Sequence, residues 1–401
     1  MSKFVKLSSI AELTVGFVGT MAKHYEDEGI PFLRSLNIKP FKIISDDMKY
    51  VSAEFSNSLS KSILHKGDVV IVRTGIPGTC CVVPAEYDGC NCSDVVIVHP
   101  NTELVNPHYL AAYINFWGQR QIQNNKVGAI QQHFNVHSAE EMLIFLPDIT
   151  EQEKIAKTIV ALNGKIENNF SVCVELEAMA KTLYDYWFTQ FDFPDENGKP
   201  YCSSGGEMVW NDQLKREIPK GWQVSSIGSV TRNYDSKRVP LSQSERDTMK
   251  GGIPYYGATG IMDYVNRHIF DGQYVLIAED GSVMDAKGNP IVQMIWGKTW
   301  VNNHAHVLQG CNGYSNELLY LLLQHIPVVK IMTGSIQKKI NQDNLNSYKI
   351  PQIPDPISQA FYEIVKPMFE KIQFLQAEND ELTKLRDWLL PVLMNGQATV
   401  E

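Results

Sequence analysis

At 401 residues the chain is too long for one hydrophobic core. A formal charge of −9, from 36 Lys and Arg against 45 Asp and Glu, excludes a uniformly basic coat for nucleic acid. Seven cysteines, odd in number and irregularly spaced, argue for free thiols rather than a disulfide frame. No apolar run approaches bilayer length, and the opening residues lack the build of a secretory signal, so a soluble cytoplasmic protein is expected.

Residues 1–150 are predicted to form a mainly β domain. Gly29-Ile30-Pro31-Phe32, and His65-Lys66-Gly67-Asp68 leading into Val69, Val70, Ile71 and Val72, each place a turn glycine before or within a short β-rich run. Arg73 and Thr74 follow the second run, and Gly128, Ile130, Gln131 and Asn135 mark a turn near the domain's end. A helix is expected after Pro147, with Thr150 and Glu153 spaced as a capping box. Its ladder runs Ile155, Ile159, Leu162, Ile166, Asn169, Cys173, Leu176, Ala180, Leu183, in the steps of four and three that make heptads. Spanning residues 151–190, with regular helix to about Phe188, this element measures roughly 55 Å at about 1.5 Å per residue. Residues 191–221 are dense in turn formers and read as a connector.

The second half then repeats the first. Over 222–354, Gly252-Ile253-Pro254-Tyr255 answers Gly29 to Phe32, and Gly272 to Ile277 answers Gly67 to Val72. The offset falls from 223 to 205 between these pairs, so the first domain holds roughly eighteen extra residues, around Asn37 to Phe55. Gly334, Ile336, Gln337 and Asn341 then repeat Gly128, Ile130, Gln131 and Asn135 at an offset of 206. A second helix is expected over 355–396, with Asp355 as N-cap and Pro356 at the first helical position. Its ladder, Phe361, Val365, Met368, Ile372, Leu375, Asn379, Leu382, Arg386, Leu389, keeps the offset of 206 at every rung. Pro367 is expected to kink or divide this helix, and Pro391 with Asn395 and Gly396 to end it. One helix carries the chain out and the other brings it back, which makes an antiparallel pair; the alternative is an ordinary core stripe on each helix.

Charge follows the same division. Residues 1–150 carry 12 basic and 15 acidic side chains, 151–199 carry 5 and 9, 200–354 carry 15 and 13, and 355–401 carry 4 and 8. Most of the acidity sits with the helices, leaving room for a basic face on each globular half.

Three stretches resemble the specificity subunit of a type I restriction-modification enzyme: Leu146-Pro147 through Glu151-Gln152 to Ile155, the connector Phe191–Pro194 to Pro219-Lys220-Gly221-Trp222, and Leu385-Arg386-Asp387-Trp388-Leu389-Leu390-Pro391 to Asn395-Gly396. The resemblance covers essentially the whole chain. It implies an α+β protein with two pseudo-twofold-related, mainly β target recognition domains joined by two long antiparallel coiled-coil helices. The family's function implies a non-catalytic chain that reads a bipartite duplex DNA target and docks two methyltransferase subunits and restriction subunits. S-adenosylmethionine, ATP and magnesium are then expected on the partners, and no metal on this chain.

The candidate base readers are Gln131, Gln132 and His133 in the first turn and Gln337, Lys338 and Lys339 in the second, because amides pair with adenine edges and cations with guanine or phosphate. The pair that differs between copies, Gln132-His133 against Lys338-Lys339, suits different targets; the recurring residues suit a structural turn. Arg73 and Thr74, with Glu279 and Asp280 at the corresponding place, are second candidates, followed by Tyr255, Tyr256, Asn302, Asn303 and His304. Enzymatic readings are weaker. Asn106-Pro107-His108-Tyr109 resembles an amino-methyltransferase motif but has His108 in place of a proline, and Gln152 breaks a nuclease-like pattern around Asp148, Glu151 and Lys154. Cys80-Cys81 with Cys90 and Cys92 lacks zinc-knuckle spacing, and His304 with His306 has no further obvious ligand.

Overall fold

A computed structural model describes residues 3–118, 121, 134–285, 287–334 and 338–395. The chain divides into two units, Met1–Asn169 with Glu378–Glu401, and Phe170–Ala377.

Unit 1 is built on an antiparallel sheet in the order Ala11–Val15, Val95–Pro100, Val69–Val72, Cys80–Val82. The two central strands are apolar at successive positions because both sheet faces are covered. Side chains alternate across a strand, so Val69, Ile71, Cys80, Val96 and Val98 join one cluster, with Tyr109 and Leu110 of the helix Pro107–Tyr113. Val70, Val72, Cys81, Val95 and Ile97 join another, with Leu33, Ile38 and Leu64. Each such fully buried side chain contributes on the order of 1.5–3 kcal/mol. A second sheet sets Ile30–Leu33 between Lys49–Val51, antiparallel, and Asn91–Cys92, parallel. A ribbon of Lys3–Lys6 with Leu143–Leu146 ties the start of the unit to the strand that leads into the first long helix.

Unit 2 has the same plan. Its sheet runs Thr231–Asn233, Ala305–Gly310, Tyr274–Ala278, Val292–Ile295, and its ribbon pairs Gln223–Ser226 with Lys349–Gln352. Lys250–Tyr256 lies antiparallel to Ile261–Val265 and parallel to Lys298–Val301. Within the extra stretch of unit 1, Ile38–Lys39 and Lys42–Ile43 form a small hairpin. The connector joins unit 2: Phe191, Phe193 and Ile218 are core residues, Met208–Asn211 pairs with Arg216–Pro219, and Phe193 stacks 5.3 Å from Trp222.

Strand register corrects one expectation. Ile71 and Ile277 both enter the cluster on the helix side of their sheets, so equivalent positions on this strand are 206 apart rather than 205, while their ladder partners Val96 and His306 are 210 apart. The smaller offset would match Val70 to Val275, which enter opposite faces of their sheets; a one-residue slip turns every side chain over.

The first long helix spans Ile149–Tyr184 and passes into a π turn at Asp185–Thr189. Asp148, not Thr150, caps it, accepting from Glu151 N at 3.0 Å. The second spans Asp355–Met394, with the Pro354 carbonyl taking the first amides, Ile357 and Ser358, at 3.0 Å; Asp355 is the first helical residue rather than its cap. Pro367 does not divide the helix. Proline costs the interior about 3 kcal/mol, but here its ring faces solvent while Phe361, Val365, Phe369 and Ile372 are buried around it. Pro391 does not end the helix either: it accepts from Asn395 N at 3.1 Å, and Leu393 and Met394 stay helical and buried.

Within each unit the two helices run antiparallel. In unit 1 Ile155, Ala156 and Ile159 share a core with Leu390, Leu393 and Met394, while at the other end Asn169 donates to Asn379 Oδ1 at 2.9 Å and to Glu378 Oε2 at 2.6 Å. Asn379 donates in turn to the Ile166 carbonyl at 3.1 Å, and Lys165 pairs with Glu378 at 3.2 Å. In unit 2 Cys173 lies against Ile372, and the rings of Trp187 and Phe188 close on Phe361 at 5.4 and 4.9 Å. Leu162, Ile166, Leu176, Leu183, Met368, Leu382 and Leu389 are half-buried. Burial moves one residue on, to Tyr184, Phe369 and Leu390, as a straight helix of 3.6 residues per turn drifts from a strict heptad. Leu176 and Leu382 are equivalent rungs in different units, not facing rungs in one.

Candidate nucleic-acid interface

In each unit one rim of the main sheet gathers the same backbone elements. The chain leaves Val69–Val72 at Arg73, and Phe134 N donates to the Arg73 carbonyl at 3.3 Å; in unit 2 Ile340 N donates to the Glu279 carbonyl at 2.8 Å. Both pairs are related by the offset of 206, so the post-strand loop and the end of the candidate reading turn meet in each unit. One residue further, Asn135 accepts from Ser138 N at 2.8 Å and Asn341 from Asn344 N at 2.7 Å. The recurring asparagine is thus a helix N-cap. Gln131, Gln132, His133 and Gln337 lie outside the described residues.

The side chains at these matched places differ. Thr74 donates to Asp94, whereas the equivalent Asp280 accepts from His304 Nδ1 at 2.5 Å. Arg73 donates from Nε to the Phe134 carbonyl at 3.2 Å, keeping the rest of its guanidinium. Its counterpart Glu279 sits in an ion network with Arg238 at 2.7 Å and Lys339 at 3.0 Å. Burial opposes its charge, but those two cations hold its carboxyl below the usual range. Glu279 therefore serves the unit's interior rather than a cytosine.

Beneath Glu279, His306 is 2% exposed. Its Nδ1 is 2.5 Å from Asp235 Oδ2, and its Nε2 is 2.8 Å from the Ile340 carbonyl. Asp235 also accepts from Val307 N at 2.8 Å and from Asn233 at 3.0 Å. Asp235, Glu279 and His306 bring three donor atoms within 4.8 Å of one another, but Arg238 and Lys339 already neutralise the two carboxylates.

Of the other candidates, Tyr255 is withdrawn from the reading set. It is 1% exposed, accepts from Leu241 N at 2.9 Å and lies under the Arg246 guanidinium, so it cannot reach a base without unfolding its sheet. Tyr256 packs at the edge of a core cluster, and Asn302 is buried, with its side-chain oxygen holding His304 N at 2.8 Å. Asn303 and His304 are exposed at the rim. Lys338 reaches Met284 Sδ at 4.0 Å, and Lys339 keeps about half of its side chain in solvent. The buried network, joining residues up to 105 apart, was missed by sequence reading because no local spacing marks it.

The enzyme-like motifs dissolve into helix starts. Asn106 caps the helix Pro107–Tyr113, accepting from His108 N and Tyr109 N, while Tyr109 is buried with its hydroxyl on the Phe145 carbonyl at 2.6 Å. Asp148 is the cap already described. Cys80 and Cys81 enter opposite faces of one sheet and cannot share a metal ion. All seven thiols are free, and burial pushes Cys90 up to about 11 and Cys81 and Cys92 higher still.

A family described as the type I restriction modification DNA specificity domain matches residues 2–177 and again 219–384. The chain belongs to this family. Among its relatives, the type I restriction enzyme MjaIX specificity subunit of Methanocaldococcus jannaschii is 28% identical over 280 residues, covering 65% of this chain and 62% of that one. The chain thus spans less than two thirds of that relative. The type I restriction enzyme HindI specificity subunit of Haemophilus influenzae is 22% identical over 423 residues, covering 87% and 91%. In fold the family member resembles the crystal structure of the type I restriction-modification S subunit from M. genitalium, with a TM-score of 0.57 at 16% identity over 98% of this chain and 96% of that one. Among the described residues no helix is long and apolar enough to cross a membrane.

Proposed function

We propose that this chain is a non-catalytic specificity subunit that reads a bipartite duplex DNA target, each unit addressing one half-site through the rim where its post-strand loop meets its reading turn. The observation that carries this reading is the matched rim: one backbone plan, repeated at an offset of 206 along the post-strand loop and 210 on the facing strand, presenting Arg73, Thr74 and Asp94 in one unit and Glu279, Asp280 and His304 in the other. A shared frame with different side chains is what two half-sites of different sequence require.

The paired long helices are proposed to space the two readers and to dock two methyltransferase subunits, with restriction subunits completing the assembly. S-adenosylmethionine, ATP and magnesium belong, on this reading, to those partners. Methylated sites mapped from the reconstituted complex test it. Inserting four residues at matched places in both helices, about one turn or 6 Å, is expected to change the spacer while both half-sites keep their bases. Altered bases at an unchanged spacer would count against the helices as spacers. Methyl transfer by the chain alone would count against a non-catalytic subunit.

A further inference from the structure

His306 stands between two oxygens that only accept. Asp235 Oδ2 faces its Nδ1 at 2.5 Å, and the Ile340 carbonyl faces its Nε2 at 2.8 Å. Asp235 is itself surrounded by donors, from Val307 N, Asn233 Nδ2 and Arg238 Nη2, which fixes it as a carboxylate. Neutral imidazole carries one N–H and satisfies one of two acceptors; imidazolium satisfies both. Ile340 immediately follows Lys338 and Lys339, so the Nε2 bond holds the end of the candidate reading turn against the sheet.

Among the described residues, unit 1 has no such device at this place. The equivalent ladder position is Val96, opposite Val15, and Phe134 takes the place of Ile340. The titratable pair of that strand, His99 with Asp68 at 2.8 Å, lies toward its other end, away from Asp94 and the rim.

We propose that His306, as an imidazolium, is the positioning residue for the Lys338–Asn341 segment, and that it makes sequence discrimination by unit 2, and not by unit 1, weaken as pH rises. This rests on the reading of the chain as a two-unit DNA reader. The charged groups facing the ring are Asp235, Glu279 at 3.6 Å, and beyond them Arg238 and Lys339. Burial works against the charged ring, but the Asp235 hydrogen bond and charge, the Ile340 carbonyl and Glu279 outweigh it and hold its pKa above the ordinary value. The sign follows: a raised folded value gives a contact complete at low pH and lost as pH climbs through it.

The test uses the reconstituted methyltransferase complex and a randomised duplex DNA library, selected from about pH 6 to about pH 9, a range bracketing ordinary imidazole titration. Wild type is expected to lose roughly tenfold discrimination in one half of its consensus, the size of one base contact, while the other half stays constant. Asp235→Asn keeps the shape, removes the countercharge and is expected to move that loss to lower pH; His306→Gln is expected to abolish the pH dependence with discrimination already weak. A merely structural role moves no midpoint, so an unmoved midpoint in Asp235→Asn overturns the proposal, even if His306→Gln fails to fold. Both halves falling together, or neither changing, also overturns it. Binding without sequence preference at any pH overturns the DNA reading itself, and the positioning role with it.

Discussion

The two units share strand order, register and the hydrogen bond that ties each reading turn to its sheet, yet beneath that rim one places an apolar pair and the other a buried charged pair. Unit 1 sets Val96 and Val15 where unit 2 sets His306 beside Asp235, and a Thr74–Asp94 bond where unit 2 has Asp280–His304. Duplication therefore preserved what the backbone needs: the turn glycines, the N-cap asparagines and alternating burial. The side chains that face outward, and those directly beneath them, diverged together. A new outer residue such as Lys339 changes the electrostatics of the layer that supports it, as its bond to Glu279 illustrates.

The largest test of that equivalence is in the seam. Phe361 and Ile155 are matched by the offset, fully or nearly fully buried, and packed on different partners. Phe361→Ala is expected to cost about 3–5 kcal/mol and Ile155→Ala about 2–5 kcal/mol, read from chemical denaturation. If each substitution perturbs only its own unit by hydrogen exchange, the units are independently packed; equal loss of protection in both units would show one cooperative body.

A smaller effect is expected where the units differ along the seam. Unit 1 pairs the buried Asn169 with the half-buried Asn379, while the rungs equivalent to these are Leu375 and Cys173 of unit 2. Asn379→Leu removes one of the two acceptors of the Asn169 amide and the donor to the Ile166 carbonyl, and is expected to cost about 1–3 kcal/mol, most of it recovered when Asn169→Leu is added. Denaturation of the double variant should then show near-normal stability, with helix register as the property at risk. No recovery would mean the pair holds more than itself.

The smallest effect concerns acid. Lys250, then the Tyr264 amide and Arg246, hold Asp263 at about 2. A depressed carboxylate contributes above its unfolded pKa and stops contributing as pH falls through the folded value. Lys250→Ala should therefore alter the acid end of unit 2's unfolding curve slightly and leave neutral stability alone, measured by pH-dependent circular dichroism.

Much of this fold is legible in the chain. Val69 to Val72 and Val95 to Val98 are continuous apolar runs because their sheet is covered on both faces, and the seam ladders announce themselves by heptad spacing and by repetition. Other features are not legible, for physical reasons. Pro367 reads as a breaker because propensity is local, whereas the burial that keeps the helix whole comes from Phe361, Val365, Phe369 and Ile372 packing on another element. Thr150 and Glu153 have the spacing of a capping box, but the geometry of Glu151 N makes Asp148 the cap. Tyr255 and Tyr256 are adjacent aromatics on a strand, so one must turn inward, but the sequence does not say which. The His306 network joins Asp235, Glu279 and Ile340, which no periodicity connects.

The proposal that each unit reads its own half-site is tested most directly by exchanging the divergent pair. A chain in which Lys338 and Lys339 are replaced by Gln and His, the residues at 132 and 133, is assembled with the methyltransferase, and its methylated sites are sequenced beside those of wild type. The expected result is a changed preference in one half of the target, worth about 1–3 kcal/mol at an affected base, with the other half and the spacer unaltered. Changes spread over both halves, or a target identical to wild type, would contradict it.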